Sequence, residues 1–230
     1  MNPNIYLHEI IRTVPGREEP YMASVASLHH DPTRDFRIDG VEVQQFRSVP
    51  ASGPWPGVIN IWEKTWAGQA EDLVGQFLDA KRDSAMEDWW NRNLHLRRGG
   101  YDRLLIPTEY SPTIADLSAR DVTGEVFWHE IAWLPFGEPR RYLDALGKQL
   151  LPVLDEFGLD LIGAYRVAMR PRQVLTIIGA REWSRLGAYL GAAPSHAGLQ
   201  QWNGYRAGTI DQADELLLLP ARHDNLYRHG

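Results

Sequence analysis

Tyr6-Leu7-His8-Glu9-Ile10 is followed by Pro15-Gly16 and Tyr21, and Phe127-Trp128-His129-Glu130-Ile131 is followed by Phe136-Gly137 and Tyr142. The two stretches are one pattern written twice, 121 positions apart (8 to 129, and 21 to 142). The correspondence resumes with Val58-Ile59-Asn60-Ile61 over Val174-Leu175-Thr176-Ile177 at offset 116, then Leu104-Leu105-Ile106-Pro107 over Leu217-Leu218-Leu219-Pro220 at offset 113. A repeat of this length is a whole small fold, longer than a solenoid unit. The falling offset makes the first copy the longer of the two.

Each copy reads as the same series of elements. Apolar and β-branched runs predict strands over 5–12, 41–49, 58–63 and 104–107 in the first copy, and over 126–133, 161–169, 173–180 and 215–219 in the second. Helices are expected over 17–30, 68–78 and 84–96, then over 140–157 and 182–190, with Gln200-Gln201-Trp202 extending the last. Tyr142, Leu146, Leu150 and Val153 recur at helical spacing, and Gly158 is placed to cap that helix. The order is βαββαβ twice, a ferredoxin-like pattern whose sheet has helices on one face only. The bare face needs a cover, and the second sheet supplies it. The expected architecture is therefore α+β: two tandem ferredoxin-like halves with antiparallel sheets face to face, forming a barrel. The first half is expected over 1–107, a linker over 108–124, the second half over 125–220, and a loosely held polar tail over 221–230.

Composition narrows the class. The chain has 230 residues, 43% hydrophobic and 23% charged, with a net charge of −6 and no cysteine. Thiolate chemistry and disulfides are excluded. No basic stripe suggests a nucleic-acid partner, no apolar run is long enough for a transmembrane helix, and the first residues lack a secretory pattern. The expectation is a cytoplasmic protein without nucleic-acid or membrane partners; a homodimer is left open. The G-x-G-x-x-G, P-loop, G-x-S-x-G and H-E-x-x-H motifs do not occur, so neither a cofactor nor a metal site is expected. Nine tryptophans fill core or line an apolar ligand cavity.

In these residues the chain resembles the dimeric α+β barrel superfamily and, within it, the NIPSNAP-like domains. The resemblance rests on the strand and Pro-Gly break over Leu7 to Gly16, on Asp88-Trp89-Trp90-Asn91 leading to Leu104-Leu105-Ile106-Pro107, and on Gln201-Trp202-Asn203 leading to Leu217-Leu218-Leu219-Pro220. His-Glu stands where those domains often have other polar pairs. The resemblance implies a superfamily of cofactor-free monooxygenases, cyclases, isomerases, haem enzymes and ligand-binding proteins, so fold alone does not settle function. For a haem enzyme it implies an iron-ligating histidine in the second half, for which His196 is the candidate; the alternative is an ordinary loop histidine.

Strand parity orders the candidate site residues. Neighbours on a strand point to opposite faces, so His8 and Glu9 cannot share a site. Tyr6, His8, Ile10 and Arg12 form one face, as do Phe127, His129, Ile131 and Trp133; these are expected to look into a cavity between the sheets. Asn60 and Trp62, matched by Thr176 and Ile178, are expected to join them. Tyr165 and Arg166 lie one on each face of the preceding strand. The reading is a cofactor-independent enzyme that moves protons on an apolar or aromatic small molecule, in cyclisation, isomerisation or oxygenation. His8, His129, Asn60 and Arg12 would be catalytic, with His8 favoured as acid or base, and Tyr6, Trp62, Phe127, Trp133 and Tyr165 would bind substrate. The alternatives are a pair of structural histidines within a non-catalytic binding protein, or, if the faces are exchanged, a cavity that receives Glu9 and Glu130.

Overall fold

The computed structural model describes residues 2–29, 41–50, 52–73, 84–222 and 226. Eight strands close into one antiparallel barrel in the order β1-β3-β2-β8-β5-β7-β6-β4. The first half contributes β1 (Ile5–Thr13), β2 (Val41–Ser48), β3 (Gly57–Lys64) and β4 (Arg97–Pro107). The second contributes β5 (Val126–Trp133), β6 (Leu159–Val167), β7 (Gln173–Ala180) and β8 (Gln212–Pro220). Two short joints seal the halves. Phe46 to Ser48 pair with Pro220 to Leu218, and Leu105 to Pro107 pair with Val167 to Tyr165. Closure gives each of the eight described strands a neighbour on both sides.

The strand registers repeat like the sequence. His8 lies opposite Ile61 and Arg103, and His129 lies opposite Ile177 and Leu216. These are the offsets of 116 and 113 read from the chain. The halves are two tandem ferredoxin-like units with facing sheets, as the repeat implied.

Helices cover the outer faces. In the first half α1 (Glu18–His29), α2 (Trp66–Leu73) and α3 (Ser84–Asn93) precede a short 3-10 turn over Leu94–Leu96. Tyr21, Met22, Val25, Trp89 and Leu96 pack on Ile11, Val58 and Trp62. In the second half α5 (Pro139–Ala145), a π-helical turn (Leu146–Leu150) and α6 (Leu151–Phe157) form one continuous helical rod. The wide turn precedes Pro152, whose missing N–H cannot complete an α-helical ladder. Gly158 caps the rod in the left-handed region (φ 62°), its N–H reaching the Asp155 carbonyl. Beyond it, α7 (Trp183–Ala192) and α8 (Ala197–Thr209) complete the layer.

Five local expectations change. The last strand of the first half begins at Arg97 rather than at 104. Gly100 pairs with Ile11, and a Cβ there would collide with the Ile10 carbonyl oxygen. Glycine is present for close strand approach. The second-half strand expected from 215 begins at Gln212, and α8 is a separate helix, started by His196 rather than continuing α7. The stretch expected as a plain linker carries α4 (Ile114–Ala119), closed by a capping box between Thr113 and Asp116. The tail is not uniformly loose: Leu226 is buried, its N–H bonds the Gln44 side chain, and its carbonyl accepts from Gly124. Leu117, Val122 and Leu226 join the barrel's internal cluster. The rest of 223–230 lies outside the described residues, as do parts of the helices expected over 17–30 and 68–78.

Gly100→Ala is expected to destabilise the protein by about 1–3 kcal/mol, the range for overpacking, because the obstructing atom is backbone. At this chain length that is a fall in Tm of several degrees, about 2–4 °C per kcal/mol, measurable by thermal melting. An unchanged Tm would show that β1 and β4 do not approach as described.

Candidate functional site

The barrel interior is filled. Tyr6, Phe46, Ile59, Ile61, Leu105, Phe127, Tyr165, Leu175, Ile177 and Leu218 form one buried cluster, with Trp133 against it. Tyr6 and Tyr165 have ring centroids 5.0 Å apart, and Phe46 and Phe127 4.9 Å. The Tyr6 hydroxyl donates to Glu63 at 2.6 Å, and the same Glu63 carboxylate accepts the Ile114 N–H at the start of α4. The expected cavity between the sheets is therefore corrected: that space is a packed core, as the interiors of small barrels generally are.

His8 and His129 do meet there. Each is fully buried, their Nε2 atoms are 3.0 Å apart, and the rings are stacked with a 13° interplanar angle. One ring must donate its Nε2–H and the other accept, so they are opposite tautomers. Neither Nδ1 has a hydrogen-bond partner. Burial lowers the pKa of both, His8 further through His129 and then Arg103, His129 through Arg103. The His129 value falls to about 3. Both rings stay neutral near pH 7, and they join one half to the other in the dry centre of the barrel.

Arg12, Asn60 and Trp62 are not with them. Arg12 is exposed at the end of β1. Asn60 pairs with Glu9 across the ladder, so Asn60 and Trp62 face the helices. The expectation that they share the His8 face is corrected. It failed because β3 was assigned a face without a register: pairing places Ile61, not Asn60, opposite His8. Asn60 and the Trp62 indole N–H both donate to Glu9 Oε2, at 3.0 and 2.7 Å.

Among the described residues, a cleft lies on the glutamate face of the second half. It is small, about 30 Å3, open to solvent on one side, and sits between the sheet and the helices. Trp128, Glu130, Thr176 and Ile178 form its floor, Leu146 and Leu150 of the π-turn one wall, and Tyr189, Trp202, Asn203 and Arg206 the rest. Glu130 is nearly buried. Its carboxylate accepts from the Tyr142 hydroxyl at 3.2 Å and is ion-paired with Arg206, which also pairs with Glu215. Glu215 is the ladder partner of Glu130. Burial raises the Glu130 pKa against the lowering pull of Arg206, and Glu215 raises it further, to about 7. Burial also raises Tyr142, and raises Tyr189 to about 12. Thr176, 4% exposed, has a buried hydroxyl without a partner.

Part of this constellation was visible in the chain, since Glu9/Glu130 and Tyr21/Tyr142 repeat together. Arg206 was not: its counterpart at offset 113 is Asn93, whose side chain bonds the Trp89 carbonyl. Nor did sequence show that Trp128, Tyr189 and Trp202 converge.

His196 does not fit a haem ligand. Its Nδ1 accepts the Leu199 N–H at the start of α8, its Nε2 lies 3.0 Å from Glu156, and its ring packs edge-on against Phe157. No histidine lines the cleft.

Comparison with known proteins places the architecture. No family model matches the chain, and no curated protein matches it in sequence. Among solved structures, a candidate monooxygenase from Lactobacillus acidophilus NCFM superposes with a TM-score of 0.63 at 9% identity, over 95% of this chain and 94% of that one. An anthrone oxidase-like protein gives 0.62 at 9% identity, over 99% and 97%. A NIPSNAP family protein from Agrobacterium tumefaciens str. C58, 18% identical, matches 45% of this chain and 92% of its own, with a TM-score of 0.40. The full-length matches show that the chain has the dimeric α+β barrel fold, with both halves in one polypeptide. Identities this low show the fold alone.

The histidine pair carries a stability prediction. Unfolded histidines titrate near pH 6.5, whereas the folded pair stays neutral far below that. As pH falls through about 6.5 the unfolded state gains protons that the folded state refuses, so stability is full above that pH and declines below it. The slope approaches about 1.4 kcal/mol per pH unit for each ring. The double variant His8→Leu/His129→Leu should lose this slope between about pH 6 and 4.5, read as denaturant midpoints against wild type. Equal slopes in the two proteins would place the imidazoles in contact with water.

Proposed function

We propose that this protein is a cofactor-independent acid–base enzyme acting on an apolar or aromatic small molecule, with the second-half cleft as its site and Glu130 as the proton-transferring group. The supporting observation is a nearly buried carboxyl with a pKa of about 7 on the floor of an aromatic-lined cleft. A carboxyl so poised is half ionised at neutral pH, where proton transfer in either direction is easiest. The Arg206 guanidinium beside it offers a fixed positive charge for an enolate or phenolate as that charge develops. Trp128, Tyr189 and Trp202 supply flat apolar walls.

Within this reading Glu130 takes a proton from an acidified C–H or O–H of the substrate. Returning it elsewhere isomerises or cyclises the molecule. Transfer of the resulting carbanion's electrons to dioxygen oxygenates it, and dioxygen is then a second substrate. One of the full-length structural neighbours is named for an anthrone oxidase, so anthrone is a reasonable first compound: with one dioxygen it would yield anthraquinone and one water.

A non-catalytic binding protein is the second reading. The observation that favours it is the ion pair itself: Arg206 and Tyr142 already hold the Glu130 carboxylate, which suits a structural carboxylate as well as a reactive one.

Oxygen uptake and product formation with anthrone decide between the two readings for oxygenation, and isomerisation of other aromatic ketones is followed by loss of solvent-exchangeable C–H. As the proton acceptor Glu130 must be ionised, so kcat/KM should rise with pH through about 7. Glu130→Gln should lower turnover by about 10²–10⁴-fold, the general acid–base range, with thermal melting close to wild type. Full turnover in Glu130→Gln would remove the catalytic role and leave the binding reading.

A further inference from the structure

The two halves are copies, yet their glutamate faces are built differently. In the second half the cross-strand pair above the glutamate is Trp128 opposite Ile178. In the first half it is Leu7 opposite Trp62. Each pair has one tryptophan, but the indole has changed strands. Trp128 lines the open cleft, 6.0 Å from the Tyr189 ring in an edge-on arrangement. Trp62 instead is 5% exposed, packs with Tyr21, Val25 and Trp89, and is tied by its indole N–H to Glu9 at 2.7 Å. Glu130 meets its cleft alongside the small Ile178; Glu9 meets the indole.

We propose that Trp62 is a plug that closes the first half's counterpart of the cleft, so that the chain binds ligand in its second half only. The Glu9 hydrogen bond is the latch that holds the ring in place. Position 62 in the first copy and position 178 in the second therefore decide which half is open. This rests on the assignment of the second-half cleft as the binding site.

Reciprocal exchange tests it, with N-phenyl-1-naphthylamine, a neutral aromatic whose fluorescence rises in apolar surroundings, as the probe. Wild type should bind one equivalent. Ile178→Trp should weaken that site at least tenfold. Leu7→Trp/Trp62→Ile, which rebuilds the Trp128–Ile178 pair in the first half at nearly constant volume, should bind two equivalents, and Trp62→Ile alone should do the same if it folds. Trp62→Phe, which keeps a ring in the space, should stay at one. Binding unchanged in Ile178→Trp would overturn the cleft assignment itself. Binding lost in Ile178→Trp, with a melted-in-one-step Leu7→Trp/Trp62→Ile protein still at one equivalent, would overturn the plug and leave the cleft standing.

Discussion

The strands of this barrel have an inner and an outer face, and the two are not alike. One looks at the opposite sheet across a fixed width, which side chains of ordinary size fill. The other looks at helices, whose distance and tilt are set by whatever lies between. Space for a ligand is therefore easier to keep on the helix side. The organisation of this protein follows: tyrosines, phenylalanines and the histidine pair occupy the centre, and Glu9, Glu130 and the cleft lie outside the sheets.

That division separates two kinds of polar group. His8 and His129 answer each other across the axis, neutral and shielded, leaving one orphan nitrogen on each ring. An unmade buried hydrogen bond costs about 1–3 kcal/mol, so the pair is not a choice for maximal stability. Glu130 sits in a different medium: a countercharge on one side, a phenol on another, and an opening to solvent nearby. Its pKa is raised toward neutrality because burial and Glu215 outweigh the opposing pull of Arg206. Groups balanced in this way respond to a ligand that shifts either side.

Duplication also explains how one chain holds two such faces with different contents. Tyr21 and Tyr142, Glu9 and Glu130, Trp89 and Trp202 keep their places, while Asn60 and Thr176, Trp62 and Ile178, Asn93 and Arg206 have diverged. In the first half Glu9 is satisfied by an amide and an indole from the adjoining strand. In the second half those donors are gone, and the guanidinium of α8 takes over. Losing two short-range donors from the sheet leaves the Thr176 hydroxyl without a partner and clears the floor of the cleft.

The amino-acid sequence by itself determined the fold. Repetition of a strand–break–helix pattern at offsets that shrink steadily specifies two copies of one unit. Parity within β1 and β5 specifies that His8 and His129 look inward, because alternation along a single strand needs no knowledge of its neighbours. Register between strands was a matter for the tertiary structure, since a slip of one residue reverses every side chain; thus Asn60 and Trp62 were assigned to the wrong face while His8 was not. The same holds for Arg97 to Arg103, which pairs with β1 although the strand was expected only from 104. Whether a face encloses a core or a cleft was likewise decided only in three dimensions. It depends on volumes contributed by β5, β7 and three helical segments distant in sequence, and on Arg206 reaching a carboxylate 76 residues away.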